Sequence, residues 1–334
     1  MPHKALVTGG TGFIGSHLVE ALVSRNWQVL CLVRTKSRTR FLQSLPVEIV
    51  RGDPRDSAFL ERAVEDQDYV FHLAARIRSA PKKVYQDANH FFTRNLAEAC
   101  LRNRSGIKRF VYVSSIAAAG PSAGSSYSDE SQPASPTSEY GRTKLKGEEC
   151  LKRLAERLPS TIIRPPNVYG PRQKETGMLI KIIRSRVVPM LSSDREKTSL
   201  IYVKDLIQGI ILAALSVRTI NQIYYLTDEK GYSWRHLILA MKREILGSSF
   251  FLPIPEPVIA LLASCADLYN RIGKHRVYFG KRVWRALIET PWLFTSRKAA
   301  RDFGFRARYT LNEGIAETVH YHKKREKRGR FYFS

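Results

Sequence analysis

The sequence predicts an α/β protein with a doubly wound parallel sheet and a smaller C-terminal domain. Short apolar segments alternate with helical ones from residue 4 to about residue 164, which is typical of a parallel sheet with helices on both faces. A glycine-rich turn follows the first apolar segment. The alternation is lost after residue 171. We therefore expect one domain at 1–171, to which 199–228 return, and a second formed mainly by 172–334.

The glycine-rich turn joins the first predicted strand to the first predicted helix. It contains Gly9, Gly12 and Gly15, with Phe13 and Ile14 between the last two glycines. In a dinucleotide-binding turn, one glycine makes the turn, a second lets the backbone approach a pyrophosphate, and a third lets helix and strand pack closely. The pyrophosphate lies at the helix N-terminus, where free N–H groups favour negative charge. These five residues predict a Rossmann-type cofactor site; a glycine turn without a ligand is the alternative.

The second predicted strand ends in Arg34, and Arg38 follows in the same basic loop. The residue at this strand end normally meets the adenosine ribose. An acidic residue there accepts hydrogen bonds from the 2'-hydroxyl of NAD, whereas an arginine suits the 2'-phosphate of NADP. Since no acid stands here, we expect NADP held by Arg34 and Arg38, with NAD as the second possibility. A solvated cluster of basic residues is the alternative.

Two further strand ends supply candidate cofactor contacts. Asp53 and Pro54 follow the third predicted strand, where Asp53 is placed either to accept a hydrogen bond from the adenine amine or to cap the next helix. Ala74 and Ala75 follow the fourth predicted strand. Their small side chains would let the backbone approach the cofactor.

A serine, a tyrosine and a lysine form the candidate catalytic site. The fifth predicted strand delivers Ser114 and Ser115, and Tyr140 and Lys144 stand four residues apart at the start of a predicted helix, on one helical face. A phenol titrates at about pH 10 in water, so as an acid or base at neutral pH it needs a nearby cation to lower its pKa. We expect Lys144 to supply that cation. The spacing is common by chance, but here it follows a glycine turn and a strand-end serine.

Composition excludes several classes of protein. The four cysteines are far apart and have no histidine at metal-ligand spacing, so we expect neither a disulfide framework nor a metal site. The first strand begins within a few residues of Met1, so we expect no targeting peptide and a cytoplasmic protein. The net charge of +25 implies attraction to an anionic cofactor, membrane or nucleic acid, or simply a solvated basic face. No RNA-binding motif with interleaved aromatics stands out, so nucleic acid is not expected.

One apolar stretch suggests a membrane contact. Residues 258–266 are apolar but too short to span a bilayer, which needs about 20 residues. Six basic residues and no acid follow within 271–285, and 323–328 are again mostly basic; the six are Arg271, Lys274, Arg276, Lys281, Arg282 and Arg285. Apolar next to basic is the composition of a membrane-surface contact. Peripheral docking at the inner face of a membrane is therefore one hypothesis, and a helix of the core is the alternative.

Together these motifs resemble the extended short-chain dehydrogenase/reductase superfamily, which includes the NAD-dependent epimerase/dehydratase family. The matching segments are TGGTGFIG at 8–15, GD at 52–53, HLAA at 72–75, Asn89 with TRNLAEAC at 93–100, VYVSS at 111–115, YGRTK at 140–144, RPPNVYGP at 164–171 and IYVKDL at 201–206. The resemblance implies that Tyr140 exchanges a proton with a substrate oxygen, that Ser115 hydrogen-bonds the same oxygen, and that Lys144 holds the nicotinamide ribose. It also implies a homodimer through the helices near 82–102 and 138–157.

The same resemblance places Pro165 and Val168 at the cofactor and makes Asn167 and Arg172 candidate substrate residues. The substrate signals conflict. Asn167 matches an asparagine that many nucleotide-sugar enzymes use, yet Thr198 stands where those enzymes commonly keep an arginine.

A second branch of the superfamily is also similar to this chain. The Arg34 strand end and the C-terminal segments 232–234 and 291–314 are similar to those of 3-beta-hydroxysteroid dehydrogenase and dihydroflavonol reductase-like enzymes. We therefore expect an NADP-dependent oxidoreductase that interconverts a secondary alcohol and a ketone on a hydrophobic small molecule. A nucleotide-sugar 4-epimerase or dehydratase with tightly bound NAD is the alternative.

Overall fold

Seven parallel strands form the main sheet of the protein. The structure, a computed structural model, describes residues 2–77, 80–102, 106–124, 126–184, 187–191, 197–245, 250–272 and 291–327. The strands of this sheet are β1 (Lys4–Thr8), β2 (Gln28–Val33), β3 (Glu48–Arg51), β4 (Tyr69–His72), β5 (Arg109–Val113), β6 (Ser160–Arg164) and β10 (Gln222–Tyr225). They lie in the order β3-β2-β1-β4-β5-β6-β10. The predicted α/β fold with a parallel, Rossmann-type sheet is confirmed.

Helices connect and cover these strands. Within the described residues they are α1 (Phe13–Val23), α2 (Ser57–Val64), α3 (Lys82–Gln86), α4 (Phe92–Arg102), α5 (Ile116–Ala119), α6 (Glu139–Arg153), α7 (Lys174–Arg184), α8 (Val203–Leu215), α9 (Trp234–Ile245), α10 (Glu256–Ile272), α11 (Arg297–Phe303) and α12 (Leu311–Lys327). A π-helical turn, Asp87–Phe91, joins α3 to α4, so the predicted single helix over 82–102 is interrupted. None of the described helices is both long enough and apolar enough to cross a membrane.

The core has two halves, one on each face of the main sheet. Leu6 and Val70 pack in one half, and Val7 and Phe71 pack in the other. This alternation follows from the two-residue period of a strand. Because both faces are covered, the strands read as nearly continuous apolar runs, which is why the sequence predicts them well.

Two small sheets lie outside the main one. The strands β7 (Asn167–Tyr169), β9 (Thr198–Tyr202) and β11 (Gly231–Tyr232) form the first, and β8 (Val187–Leu191) pairs with β12 (Phe250–Ile254) in the second. Of the segment 199–228, β10 forms the edge of the main sheet, whereas β9 does not join it. The division into two domains stays a prediction.

Candidate active site

The candidate site lies at the carboxyl ends of β1 and β4, where the strand order reverses. From β1 the chain proceeds outward to β2 and β3 on one side, and to β4, β5 and β6 on the other. Thr8 and His72 end the two central strands and are neighbours in the sheet. In open α/β sheets, ligands bind in the crevice at this switch point. The glycine turn after β1 and the Ala74–Ala75 segment after β4 therefore border one crevice.

The glycine turn has the close packing that a dinucleotide cradle requires. Gly9 has a φ of +76°, and a Cβ on it would lie 2.7 Å from the amide nitrogen of Ala74. A Cβ on Gly15 would lie 2.1 Å from the carbonyl oxygen of Gly9. At Gly12, by contrast, the contact of an added Cβ would be with the Gly9 oxygen at 3.2 Å, so this side of the turn leaves room for a ligand. The turn thus fits a bound pyrophosphate.

A buried hydrogen-bond chain holds the two strand ends together. The Ala74 N–H donates to Thr8 Oγ1 at 3.3 Å, and Thr8 Oγ1 lies 2.6 Å from His72 Nδ1. On the other side, His72 Nε2 lies 3.0 Å from Thr93 Oγ1, which donates to the Asn89 carbonyl. Burial lowers the pKa of His72 well below its usual value, so the ring is neutral. Since the Thr93 hydroxyl donates to the Asn89 carbonyl, it accepts from His72, so His72 Nε2 carries the ring proton and Nδ1 accepts from Thr8. This network fixes the Ala74 segment, and sequence reasoning missed it.

The predicted phosphate clamp is open to solvent. Arg34 directly follows β2, and both Arg34 and Arg38 are exposed. Arg51 at the end of β3 supports the loop between them, since its Nη1 donates to the carbonyl oxygens of Thr35 at 3.2 Å and Ser37 at 3.1 Å. The loop backbone is therefore held while the two side chains stay accessible to a ligand.

Asp53 lies in the loop after β3, as predicted, and holds its own loop. Its carboxylate accepts from the Arg55 backbone N–H at 2.9 Å and forms an ion pair with the Arg55 side chain at 2.6 Å. These bonds hold the pKa of Asp53 below its usual value. The next residue, Pro54, lines a shallow cavity of about 120 Å³. Asp56, not Asp53, caps α2, because its side chain accepts from the Phe59 N–H.

Ser115 and Tyr140 meet across two helix starts. Ser115 caps α5 by accepting from the Ala117 N–H at 3.1 Å, and Tyr140 lies in the first turn of α6, where its side chain hydrogen-bonds Ser115. The approach of the two helices depends on Gly141, because a Cβ there would lie 2.0 Å from the Ala117 carbonyl oxygen. Burial raises the pKa of Tyr140 to about 12, against a smaller lowering by the Ser115 bond. The tyrosine is therefore a neutral phenol at neutral pH, ready to donate a proton.

Lys144 lies one turn after Tyr140 and is fully buried. Its Nζ donates to the Val113 carbonyl at 2.7 Å and lies 4.0 Å from the centre of the Tyr112 ring. Burial lowers the pKa of Lys144 to about 7, with Glu148 opposing the shift. We expected the lysine charge to lower the pKa of Tyr140. In this arrangement the tyrosine pKa is raised instead, because desolvation dominates.

A buried ion pair includes Glu148, which lies one turn after Lys144 on α6. Arg164 at the end of β6 donates to both carboxylate oxygens of Glu148, at 3.0 and 2.6 Å, and both side chains are almost fully buried. Ser114 donates to the same carboxylate at 2.5 Å. Ser114 therefore points toward Glu148, whereas Ser115 bonds the tyrosine, which agrees with the choice of Ser115 as the candidate catalytic serine.

Asn89 is a further site residue that the candidate residues did not include. Its Oδ1 accepts from the Arg76 N–H at 2.7 Å, and its Nδ2 donates to the Arg76 carbonyl at 3.1 Å and to Thr143 Oγ1 at 3.1 Å. Asn89 thus ties the loop after β4 to α6 beside Lys144. In the sequence, the signal for this role was a polar residue inside a predicted helix.

The candidate residues after β6 separate into two groups. Asn167 begins β7 and is exposed, while Pro165 is buried and Val168 half-buried. Arg172 instead turns toward the nucleotide half, since it pairs with Glu20 of α1 and its guanidinium lies 4.8 Å from the centre of the Phe41 ring. The described contacts of Arg172 are therefore with α1 and the loop after β2.

Known proteins resemble this chain over nearly its whole length. It is 29% identical to a ceramide reductase of Caulobacter vibrioides over 321 residues, which cover 95% of this chain and 93% of the relative. It is 27% identical to the N-acetyl-alpha-D-glucosaminyl-diphospho-ditrans,octacis-undecaprenol 4-epimerase of Escherichia coli O157:H7, with 96% of each chain covered. It is 28% identical to a UDP-glucose 4-epimerase of Vibrio cholerae, with 96% of this chain and 95% of that one covered.

Solved structures agree on the fold. The dTDP-glucose 4,6-dehydratase DesIV of Streptomyces venezuelae, determined with NAD bound, superposes with a TM-score of 0.79 at 22% identity, covering 97% of this chain and 98% of that one. The UDP-glucose 4-epimerase of Thermotoga maritima superposes with a TM-score of 0.76 at 23% identity, covering 96% and 99%. The model of the NAD dependent epimerase/dehydratase family matches residues 5–226. The chain belongs to this family of extended short-chain dehydrogenase/reductase enzymes, and it is an NAD(P)-dependent enzyme.

Proposed function

We propose that the protein is an NADP-dependent oxidoreductase that interconverts a secondary alcohol and a ketone on a hydrophobic small molecule. The observation that carries the substrate class is the apolar border of the tyrosine site. Tyr85 of α3 lies close enough to Tyr140 to raise its pKa, and its hydroxyl donates to the Ile77 carbonyl at 3.4 Å. Ile77 is 62% exposed and Val84 is 40% exposed. Two large apolar side chains are thus exposed on the segments that reach Tyr140 through Tyr85, and an apolar substrate bound there would cover them.

The proposed chemistry uses the three residues in distinct roles. In reduction, Tyr140 gives its proton to the carbonyl oxygen, and Ser115 donates a hydrogen bond to the same oxygen. A bound nicotinamide would supply the hydride for the carbonyl carbon. Lys144 would hold the ribose of the bound cofactor and balance the charge left on the tyrosine. In oxidation the same proton returns to Tyr140.

The proposed preference for NADP comes from Arg34 and Arg38. Both are exposed on a loop that Arg51 holds in place. Two guanidinium groups suit a phosphate monoester better than a ribose hydroxyl, because their N–H groups form charge-assisted hydrogen bonds with phosphate oxygens.

A lipid-like substrate is also favoured by the relatives. The Caulobacter vibrioides relative is a reductase named for a ceramide, and the Escherichia coli relative is an epimerase named for a polyprenyl-linked sugar. The second name supports the alternative function, a sugar 4-epimerase or dehydratase that retains NAD, and exposed Asn167 agrees with it. Thr198 in place of the expected arginine argues against a nucleotide-diphosphate sugar.

Net consumption of cofactor separates the two functions. Purified protein is denatured to assay retained nucleotide, and fresh protein is then given NADPH with long-chain ketones, polycyclic ketones or UDP-glucose, with Tyr140→Phe as the control. We expect a nearly empty protein that oxidises NADPH with an apolar ketone and loses this activity in the variant. Retained NAD and conversion of UDP-glucose without NADPH loss would establish the alternative instead.

Two further properties remain proposals of the same kind. The first is a homodimer through α4 and α6, which analytical ultracentrifugation tests directly. The second is peripheral contact with a membrane.

A further inference from the structure

One face of α10 is apolar and exposed along most of the helix. Val258, Leu261, Leu262 and Tyr269 are 45%, 64%, 52% and 50% exposed, and Cys265 is exposed as well. At about 100° of rotation per residue, these five positions fall within an arc of roughly 100°. The exposure is therefore a continuous stripe, which we call the α10 stripe.

The other side of α10 differs from the stripe in burial and in charge. Ala263, which falls outside this arc, is completely buried, so that side of the helix packs onto the protein. Asp267 also falls on the far side of the helix from the stripe, by helical rotation. The stripe itself contains no charged residue. Two more exposed apolar side chains, Phe250 at 67% and Leu252 at 47%, lie on the strand that leads into the helix.

Basic residues lie near the start of this region. The Nζ of Lys323 on α12 donates to the Glu244 carbonyl at the end of α9, at 2.7 Å, so the basic end of α12 adjoins the basic last turn of α9. Lys324 is exposed, and Lys242 and Arg243 lie in that last turn of α9. β12 begins at Phe250, six positions after Glu244 in the chain, which is a reach of at most about 20 Å. The charge of this neighbourhood is therefore positive. The basic residues predicted at Lys274 to Arg285 lie outside the described residues.

We infer that the α10 stripe is a docking surface for an anionic membrane, with the helix lying in the plane of the interface. An apolar helical face beside basic side chains matches acyl chains below anionic headgroups, and Tyr269 suits the boundary between them. The inference rests on the proposed function only for its purpose, which is to give the site access to a membrane-borne substrate. The binding itself is measured without substrate.

Cys265 provides a direct probe of the stripe. All four cysteines of the chain are described, and Cys31, Cys100 and Cys150 are buried whereas Cys265 is exposed. A polarity-sensitive thiol dye on Cys265 is titrated with vesicles of phosphatidylcholine alone or mixed with phosphatidylglycerol. We expect a blue shift and protection from aqueous iodide only with the anionic vesicles, weakened by high salt. A dye placed on Val217→Cys in a Cys265→Ser background, at a site 76% exposed, should show neither.

Sedimentation with the same vesicles tests the stripe by mutation. Leu261→Asp with Leu262→Asp should weaken vesicle binding at least tenfold. The matched variant, Leu215→Asp with Val217→Asp, changes two exposed positions far from α10 in the sequence and should bind like wild type. NADPH affinity should be unchanged in both, which also shows that they fold. No vesicle binding by wild type, or equal binding by the stripe variant, overturns the inference. So does a wild-type dimer that the stripe variant converts to monomer without anionic vesicles being bound. None of these results bears on NADPH-dependent turnover.

Discussion

Replacing Arg34 with aspartate is the sharpest test of the proposed cofactor preference. The change removes a positive charge and adds a negative one at the strand end where a 2'-phosphate would lie. Two unit charges about 4 Å apart in water interact by about 1 kcal/mol, and a phosphate monoester carries almost two negative charges. Losing the attraction and gaining the repulsion therefore costs about 3–4 kcal/mol, or a 10²- to 10³-fold loss of NADPH affinity.

The exposure of Arg34 makes this a low-salt figure, because counterions screen exposed charges. NADH lacks the phosphate, so its affinity should change no more than a few-fold. The assay is a titration of nicotinamide fluorescence with both cofactors, at low and high salt. Arg51 continues to support the loop through the Thr35 and Ser37 carbonyls, so the loop should keep its shape in the variant.

Lys36→Asp is the matched control, because it makes the same charge change two residues away on the same exposed loop. We expect it to weaken NADPH by less than tenfold. Equal losses for NADPH and NADH in Arg34→Asp would refute the assignment of NADP. A loss of NADPH affinity of the same size in Lys36→Asp would show that the phosphate is attracted by the overall positive charge of the loop and not by a specific contact with Arg34.

Three other predictions concern the site. Tyr140→Phe should lower turnover by about 10²- to 10⁴-fold while NADPH affinity by fluorescence titration changes less than threefold; unchanged turnover would remove the tyrosine from the chemistry. Gly12→Ala should weaken NADPH binding with little change in melting temperature, whereas Gly15→Ala should lower the melting temperature, because its Cβ would lie 2.1 Å from a backbone oxygen; calorimetry of both variants showing the same stability would contradict this. Burial holds the pKa of Lys144 at about 7, below its ordinary 10.5. Between these two values the unfolded state binds more protons than the folded state. The contribution of Lys144 to the free energy of unfolding should therefore rise with pH across that window, by about 1.4 kcal/mol per pH unit. Urea denaturation of cofactor-free wild type and Lys144→Met across this range measures the difference, and parallel pH profiles would contradict the buried, titrating lysine.

Local patterns predicted the parts of the site that depend on neighbouring residues. The turn at Gly9 to Gly15 is visible in the sequence because glycine spacing, strand and helix are all contiguous. Tyr140 and Lys144 are likewise on one helix, so their relative placement follows from the helical period. The strand ends that carry Arg34 and Ser115 were predicted because buried parallel strands are apolar throughout.

Contacts between segments that are distant in the chain could not be predicted from such local patterns. The Lys144 side chain bonds a carbonyl of β5, and its neighbour Glu148 pairs with Arg164 of β6; nothing local in the sequence pairs these groups. The same holds for His72, whose partners lie 64 and 21 residues away. Arg172 also depended on tertiary contacts, because its pairing with Glu20 joins segments far apart in the chain.

The sequence by itself therefore determined the fold class, the glycine turn and the spacing of the tyrosine and lysine, because short-range periodicity and backbone geometry encode them. Only the tertiary structure decided the protonation of that pair. Burial sets the pKa of Tyr140 at about 12 and that of Lys144 at about 7, and the desolvation that causes both shifts comes from packing the helix against strands distant in the chain.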